Sequence, residues 1–250
     1  MNWENSWVRD LRRVPAPVGH VLFFPHAGGA ATYFRPLAAH FTENLDVSAV
    51  QYPGRQERLR EPFVTTIESL ADQVICELEP LLGTPLLLFG HSMGAAVAYE
   101  VARRLESRER PPCGLVASGR RAPSMTREEV VHRGTDEEVL AELARLDGTG
   151  QRLLSEPEIV RMVMPAIRND YRAIERYLPD PSSTLGVPIL CLTGDGDPQV
   201  TRAEAEAWKG HTTADFRELS FSGGYFYLMH YQSDVVRSIE SFAFEARTVR

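Results

Sequence analysis

Short, nearly continuous apolar runs alternate along this chain with stretches whose apolar residues recur every three or four positions. The segment HVLFFPHAGG (20–29) is such a run closing on a glycine-rich turn, and it predicts a buried strand followed by a loop. LDVSAVQYPGR (45–55) predicts a second strand, stopped by Pro53 and Gly54. PLLLFGHSMG (85–94) and CGLVASGRRAP (113–123) predict a third and a fourth. Between them AATYFRPLAAHF, TIESLADQVICELEPLL (66–82) and AAVAYEVARRLESR carry helical spacing. Strands that are apolar throughout are covered on both faces. The pattern therefore predicts an α/β fold, with a mostly parallel central sheet and helices on either side.

The alternation breaks from about Ser124 to Ser182, where no strand pattern appears. DEEVLAELARL and SEPEIVRMVMPAIRNDYRAIERYL predict helices there, the second interrupted at Pro165. Strands return with VPILCLTGDGDP (187–198) and DFRELSFSGG (215–224), and SDVVRSIESFAFEA predicts a closing helix. The expected organisation is a core of residues 1–123 and 183–250 with an all-helical insert at 124–182, placed as a lid over the strand ends.

Composition narrows the picture further. The chain has 250 residues, 43% apolar and 24% charged, which suits one globular α/β domain. A net charge of −7, mixed along the chain, argues against non-specific nucleic-acid binding. No signal-peptide core appears at the N-terminus, and no apolar run approaches the ~20 residues that span a bilayer. Cys76, Cys113 and Cys191 are scattered in apolar surroundings and read as buried thiols of a reducing cytoplasm. No metal-ligand spacing is present, so neither a metal nor another cofactor is expected, and the expected state is a monomer.

The chemistry gathers around Gly90-His91-Ser92-Met93-Gly94. This G-x-S-x-G segment follows a predicted buried strand and opens a predicted helix, the context of a nucleophile elbow in an α/β-hydrolase fold. The turn must be tight enough to hold the Ser92 hydroxyl above the sheet, with glycine at both flanks where a side chain would collide. A helix N-terminus behind the hydroxyl supplies N–H groups for a developing oxyanion. The Met93 amide is one donor, and the Ala27 amide in FPHAGG is the candidate for the second. An acid is expected just after a late strand, where LTGDGDP offers both Asp195 and Asp197.

Taken together, FPHAGG (24–29), VQYPGRQERLREP (50–62), FGHSMGA (89–95), SGRRAP (118–123), RNDYRAIERY (168–177), GDGDP (194–198) and SGGYFYL (222–228) resemble the type II thioesterases, the stand-alone editing thioesterases of polyketide and non-ribosomal peptide synthesis. The resemblance covers nearly the whole chain. It implies an α/β-hydrolase fold with a helical lid. It implies hydrolysis of acyl groups from the phosphopantetheine arm of an acyl or peptidyl carrier protein. It also implies Ser92 as nucleophile, Asp197 as triad acid, and Ala27 and Met93 as oxyanion amides.

One position departs from the family. Where its members normally read Gly-Gly-His, this chain reads Gly223-Gly224-Tyr225. Tyrosine titrates near ~10 and is neutral at pH 7, so a phenol is a poor base toward serine. His230, five residues on, is the candidate substitute. On a regular helix it would not share the face of position 225. His91 is expected to point away from the cleft. Arg55, Arg58, Arg120 and Arg121 follow strand ends and could meet the arm's phosphate or an acidic carrier, or else pair with neighbours such as Glu57 and Glu61. The stripe containing Val160, Val163, Met164, Ile167, Tyr171 and Ile174 could line an acyl channel or simply pack the helix. Three functions stay open at this point: hydrolysis impaired by Tyr225, a non-hydrolytic carrier-binding module, and a different reaction in the same cleft, such as acyl transfer or elimination.

Overall fold

The computed structural model describes residues 7–147 and 156–248. Their frame is a seven-stranded sheet: β1 (Val8–Arg12), β2 (Gly19–Phe24), β3 (Leu45–Val50), β4 (Leu86–His91), β5 (Gly114–Ser118), β6 (Ile189–Gly194) and β7 (Phe216–Phe221), in spatial order β1-β3-β2-β4-β5-β6-β7. All neighbours run parallel except β1, which pairs antiparallel with β3. Strand β1 was not expected from VRDLR, whose charged residues hide a strand that lies at the sheet edge and buries little.

The continuous apolar strands have a simple cause. Successive side chains point to opposite faces, and both faces are covered. Leu22 and Phe24 of β2 and Leu86 and Leu88 of β4 enter one core. Val21, Phe23, Leu87 and Phe89 from the same strands enter the other. The helices α1 (Arg35–Ala38), α2 (Ile67–Cys76), α3 (Met93–Ser107), α4 (Asp136–Asp147), α5 (Pro157–Glu175), α6 (Arg202–Glu206), α7 (Tyr227–His230) and α8 (Gln232–Thr248) complete the chain. Helix α3 supplies Ala95, Val97, Ala98 and Val101 to the first core, while Val235, Val236 and Ile239 of α8 seal the second. The α2 start is capped as its sequence suggests, with the Thr66 side chain accepting from the Ser69 N–H at 3.1 Å. The AATYFRPLAAHF segment forms a 3₁₀ turn and a single α-turn rather than a full helix.

Between β5 and β6 the described residues hold the helices α4 and α5 and no strand. Ser155, where the second helix was expected to begin, lies outside the described residues. Helix α5 runs through Pro165 without a break, contrary to the expected interruption. The proline lacks the N–H that would reach back one turn, yet its ring lies on the exposed side, where solvent can satisfy the freed carbonyl. The helix is divided in its packing. Met164 and Ile167 join Val139 and Leu140 in a small cluster of the insert's own, whereas Ala173 and Ile174 enter the main core. Cys113 and Cys191 are buried thiols, but Cys76 is exposed at the end of α2, because its position falls on that helix's outer face. Among the described residues no helix is long and apolar enough to cross a membrane.

An interior proline costs a helix roughly 3 kcal/mol relative to alanine. Pro165 is exposed, so little packing opposes its removal. Pro165→Ala is expected to raise stability by about 1–2 kcal/mol, read as an increased urea midpoint at unchanged slope. A lower midpoint would show that the helix needs a proline-induced bend.

Candidate active site

Ser92 stands between β4 and α3 with φ 56° and ψ −120°, a left-handed region that side chains rarely enter. Three contacts hold it there. Its N–H donates to the Ser118 carbonyl at 2.8 Å, tying it to β5. A Cβ at Gly90 would lie 2.2 Å from the Gly94 carbonyl oxygen, and one at Gly94 would lie 2.0 Å from that of Phe24. The helix thus approaches two strands at backbone contact, which only glycine permits. Ser92 makes no capping bond to its own helix, so its hydroxyl is left for the cavity.

That cavity, about 670 Å³, is lined by Ser92, His26, Ala27, Arg120, Tyr171 and Tyr225 among others. Ala27 follows β2 in the turn His26–Gly29, closed by the Gly29 N–H on the His26 carbonyl at 2.9 Å. Among the described residues no acceptor is found for the Ala27 N–H. The Met93 N–H belongs to the first turn of α3, where no intrahelical acceptor exists. Ala27 and Ser92 line the same cavity, and Met93 follows Ser92 at the start of α3. No group of three His, Cys, Asp or Glu side chains that could hold a metal is found among the described residues.

The two late segments are bound to each other. The Asp195 N–H donates to the Phe221 carbonyl and the Gly196 N–H to the Gly223 carbonyl, each at 2.8 Å. The Asp195 side chain accepts from the Gly223 N–H at 2.8 Å. Asp195 therefore braces the loop from outside, exposed, while Asp197 is partly buried beside the cavity-lining Pro198 and Gln199. Asp197 Oδ1 accepts from the Gln199 N–H at 2.7 Å, while its Oδ2 is buried and without a hydrogen-bond partner among the described residues. Burial raises its pKa to about 6, against the pull of the Gln199 and Val200 amides and of Arg145 and Arg127.

Tyr225 follows this loop into the cavity and is 4% exposed. Burial drives its phenol pKa above the ordinary value. The nearby Ser92 hydroxyl and the Arg120 guanidinium temper that rise, and the Asp197 carboxylate adds to it. At neutral pH it is a neutral phenol beside Ser92. The orphan Asp197 oxygen and the Ser92 hydroxyl have no imidazole between them.

The histidines separate. His230 ends α7 exposed and outside the cavity lining, because the short helix carries residues 227 and 228 inward and residue 230 outward. It is not placed to serve as a base. His91 is buried outside the cavity lining, with its ring centroid 4.8 Å from that of Tyr225. Its Nδ1 lies 2.9 Å from Ser118 Oγ, which in turn lies 2.7 Å from the Tyr227 hydroxyl. This chain supports the site from below, and nothing in the local sequence pointed to it. His26 lines the cavity. Burial lowers its pKa to about 4, so it is neutral at pH 7.

The arginines separate as well. Arg55 is no surface group: it is buried against Asp170, because its backbone position turns it under the His26–Gly29 turn. Arg58 pairs with Glu61 at 2.6 Å and lies over the Trp7 ring. Arg121 is buried and paired with Glu129. Arg120 lines the cavity and has no hydrogen-bond or ion-pair partner for its guanidinium among the described residues. Burial first, and then Arg121, lowers its pKa to about 10. Tyr171 lines the cavity, whereas Met164 packs within the insert and does not.

The raised Asp197 pKa has a consequence for stability. Below its unfolded value near 3.8 the carboxyl is neutral in both states, and the folded protein carries no penalty. As pH rises through about 6, folding must accept a charge in a desolvated place, and stability is lost. Asp197→Asn is therefore expected to match the parent near pH 4 and exceed it by about 1–2 kcal/mol at pH 7, allowing for partial exposure. Urea denaturation at the two pH values measures this. A variant less stable at pH 7 would mean that the ionised carboxylate is stabilising.

Residues 19–243 match the family model described as a thioesterase domain. A probable cadicidin biosynthesis thioesterase of Streptomyces griseus is 46% identical over 89% of this chain, and the match spans 62% of that relative's length. Thioesterase PikA5 of Streptomyces venezuelae is 43% identical over 89% of this chain and 80% of its own. The structure of the type II thioesterase BorB from the borrelidin biosynthetic cluster superposes with a TM-score of 0.89 at 43% identity, covering 97% of this chain and 100% of the other. The type II thioesterase YbtT from a yersiniabactin NRPS/PKS pathway superposes with a TM-score of 0.85 at 29% identity, covering 96% and 99%. With the seven-stranded sheet and the Ser92 elbow already in place, these likenesses show that the chain belongs to the thioesterase domain family.

Proposed function

We propose that the protein is a type II thioesterase-like enzyme, with Ser92 as the nucleophile that takes acyl groups from the phosphopantetheine arms of acyl or peptidyl carrier proteins in polyketide or non-ribosomal peptide synthesis. The carrying observation is Ser92 itself: a strained elbow serine on the wall of a cavity, between an unpaired Ala27 amide and the first amide of α3. The thioester carbonyl would sit over Ser92 with its oxygen toward Ala27 and Met93. Attack forms the C–O bond and a tetrahedral oxyanion, with the Ser92 proton passing to solvent for want of an imidazole. Collapse expels the pantetheine thiolate and leaves an acyl-serine, which water then hydrolyses. The helices α4 and α5 act as a lid over this cavity, and Arg120, without an ion-pair partner among the described residues, is available to an anionic group of the substrate.

The weak link is the proton. Tyr225 occupies the position where an imidazole would join Ser92 to the orphan oxygen of Asp197, and a neutral phenol cannot accept the Ser92 proton effectively. Loss of a triad histidine costs on the order of 10⁶ in turnover, while an intact oxyanion hole retains roughly 10³ to 10⁴ over water. Turnover by this chain is accordingly expected to be slow.

Restoring the base tests the reading. Tyr225→His is expected to raise kcat on short acyl-pantetheine thioesters by ~10³-fold or more, with Ser92→Ala inactive in both backgrounds. A parent already fast, whose activity is lost in His26→Gln, would move the base to His26. Failure of parent and Tyr225→His alike on acyl-pantetheine and acyl-carrier substrates would overturn hydrolysis in favour of carrier binding alone. A different reaction abolished by Tyr225→Phe would make the tyrosine a catalytic acid.

A further inference from the structure

The turn that presents the Ala27 amide is held from the helical insert. Its closing bond and the positive φ of Gly28, +74°, are the marks of a type II turn, whose central peptide can rotate over to the type I arrangement. The N–H of that central peptide is the Gly28 N–H, and it donates to Asp170 Oδ2 of α5 at 2.9 Å. The same carboxylate receives Arg55 Nη1 at 2.6 Å and Nη2 at 3.0 Å. Arg55 in turn donates from Nη1 to the Gly29 carbonyl at 3.1 Å and from Nε and Nη2 to that of Pro53 at 3.2 Å. The two side chains are 8% and 2% exposed, so water does not compete for these bonds. Ile167, one turn earlier on α5, blocks the remaining space: a Cβ on Gly28 would lie 2.6 Å from its Cγ1.

We propose that Asp170 and Arg55 are positioning residues of the oxyanion hole, clamping the His26–Gly29 turn to α5 so that the Ala27 amide faces Ser92. The proposal rests on the reading of Ala27 as an oxyanion donor. Each partner has a distinct task. Asp170 holds the central peptide in one orientation, since rotation would take the Gly28 N–H off its only charged acceptor. Arg55 neutralises the carboxylate, which would otherwise stand as a bare negative charge one residue from the developing oxyanion. This end of α5 is consequently part of the catalytic scaffold. A lid that opened by swinging it away would dismantle the oxyanion hole.

The test reads Ser92 directly. A fluorophosphonate places its P=O oxygen in the oxyanion hole when serine displaces fluoride, so the second-order labelling rate, followed by intact mass, reports that hole without requiring a thioester substrate. Arg55→Met/Asp170→Leu replaces the buried pair by apolar groups and leaves no lone charge. It is expected to fold, by circular dichroism, and to label at least about 10-fold more slowly than the parent. Asp170→Asn, which keeps an acceptor for Gly28, is expected to recover part of that loss. Arg168→Met removes another tie of α5, the bonds from its guanidinium to the His132 and Gly134 carbonyls at 2.8 and 2.6 Å, and is expected to label at the parent rate. In the Tyr225→His background the double variant is expected to lower kcat and leave KM nearly unchanged. Labelling of the double variant at the Arg168→Met rate, or a loss confined to KM, overturns the proposal. Should the double variant not fold, Arg55→Lys keeps the charge but not the two-point grip, and parent-like labelling by it does the same. If neither parent nor Tyr225→His labels at all, there is no working hole to position and the proposal falls. If labelling follows the clamp while no form hydrolyses a thioester, the substrate reading fails and the clamp stands.

Discussion

The close approach of α3 to β2 and β4 at Gly90 and Gly94 is the constraint on which the site depends. Two backbones meet there with no room for a methyl group, and the chain between them must turn within a single residue. That residue is Ser92, carried at φ 56°. Such a conformation costs of order 1–3 kcal/mol and persists only where the surroundings over-determine it. Here they do so through the β5 carbonyl that takes the Ser92 N–H and through a helix whose Ala95, Val97 and Ala98 are fully buried. The strain is held by the packed core, and the hydroxyl is left facing the cavity.

Around that point burial shifts the titration of the innermost groups. His26 and Tyr225 are both desolvated in the direction of their neutral forms, and Asp197 is brought up to about 6. Arg120 keeps a guanidinium in this cavity, with Glu129 as the acidic side chain that offsets it, among charged lining residues that include Arg127, Glu142 and Arg145. The inner groups are a neutral imidazole, a neutral phenol and a carboxylate oxygen without a hydrogen-bond partner among the described residues.

Much of this was legible in the sequence wherever a local pattern carried a local cause. The strands from β2 to β6 were readable because both faces of the sheet are buried, so burial appears as an unbroken apolar run. The elbow was readable because its glycines and serine fall in one five-residue pattern, even though Gly94 is required by contact with Phe24 of the distant β2. Strand β1 was not, since an edge strand with one partner needs few apolar side chains and VRDLR has few. The continuity of α5 through Pro165 was also hidden, because propensity describes an isolated helix and this one is held by packing at both ends.

What the sequence determined by itself was the α/β alternation, the helices between β5 and β6, the position of Ser92 and a tyrosine, Tyr225, directly after Gly223 and Gly224. The tertiary structure decided which long-range partners the polar residues took. Asp195 and Asp197 stand two apart in one turn, and only the docking of the Gly223–Gly224 loop sends one outward and the other inward. Arg55 and Asp170 are separated by 115 positions, and no local pattern can announce a buried ion pair between them. His230 falls outside the cavity for the same reason. Where a side chain points is set by the element it packs against, and that element comes from elsewhere in the chain.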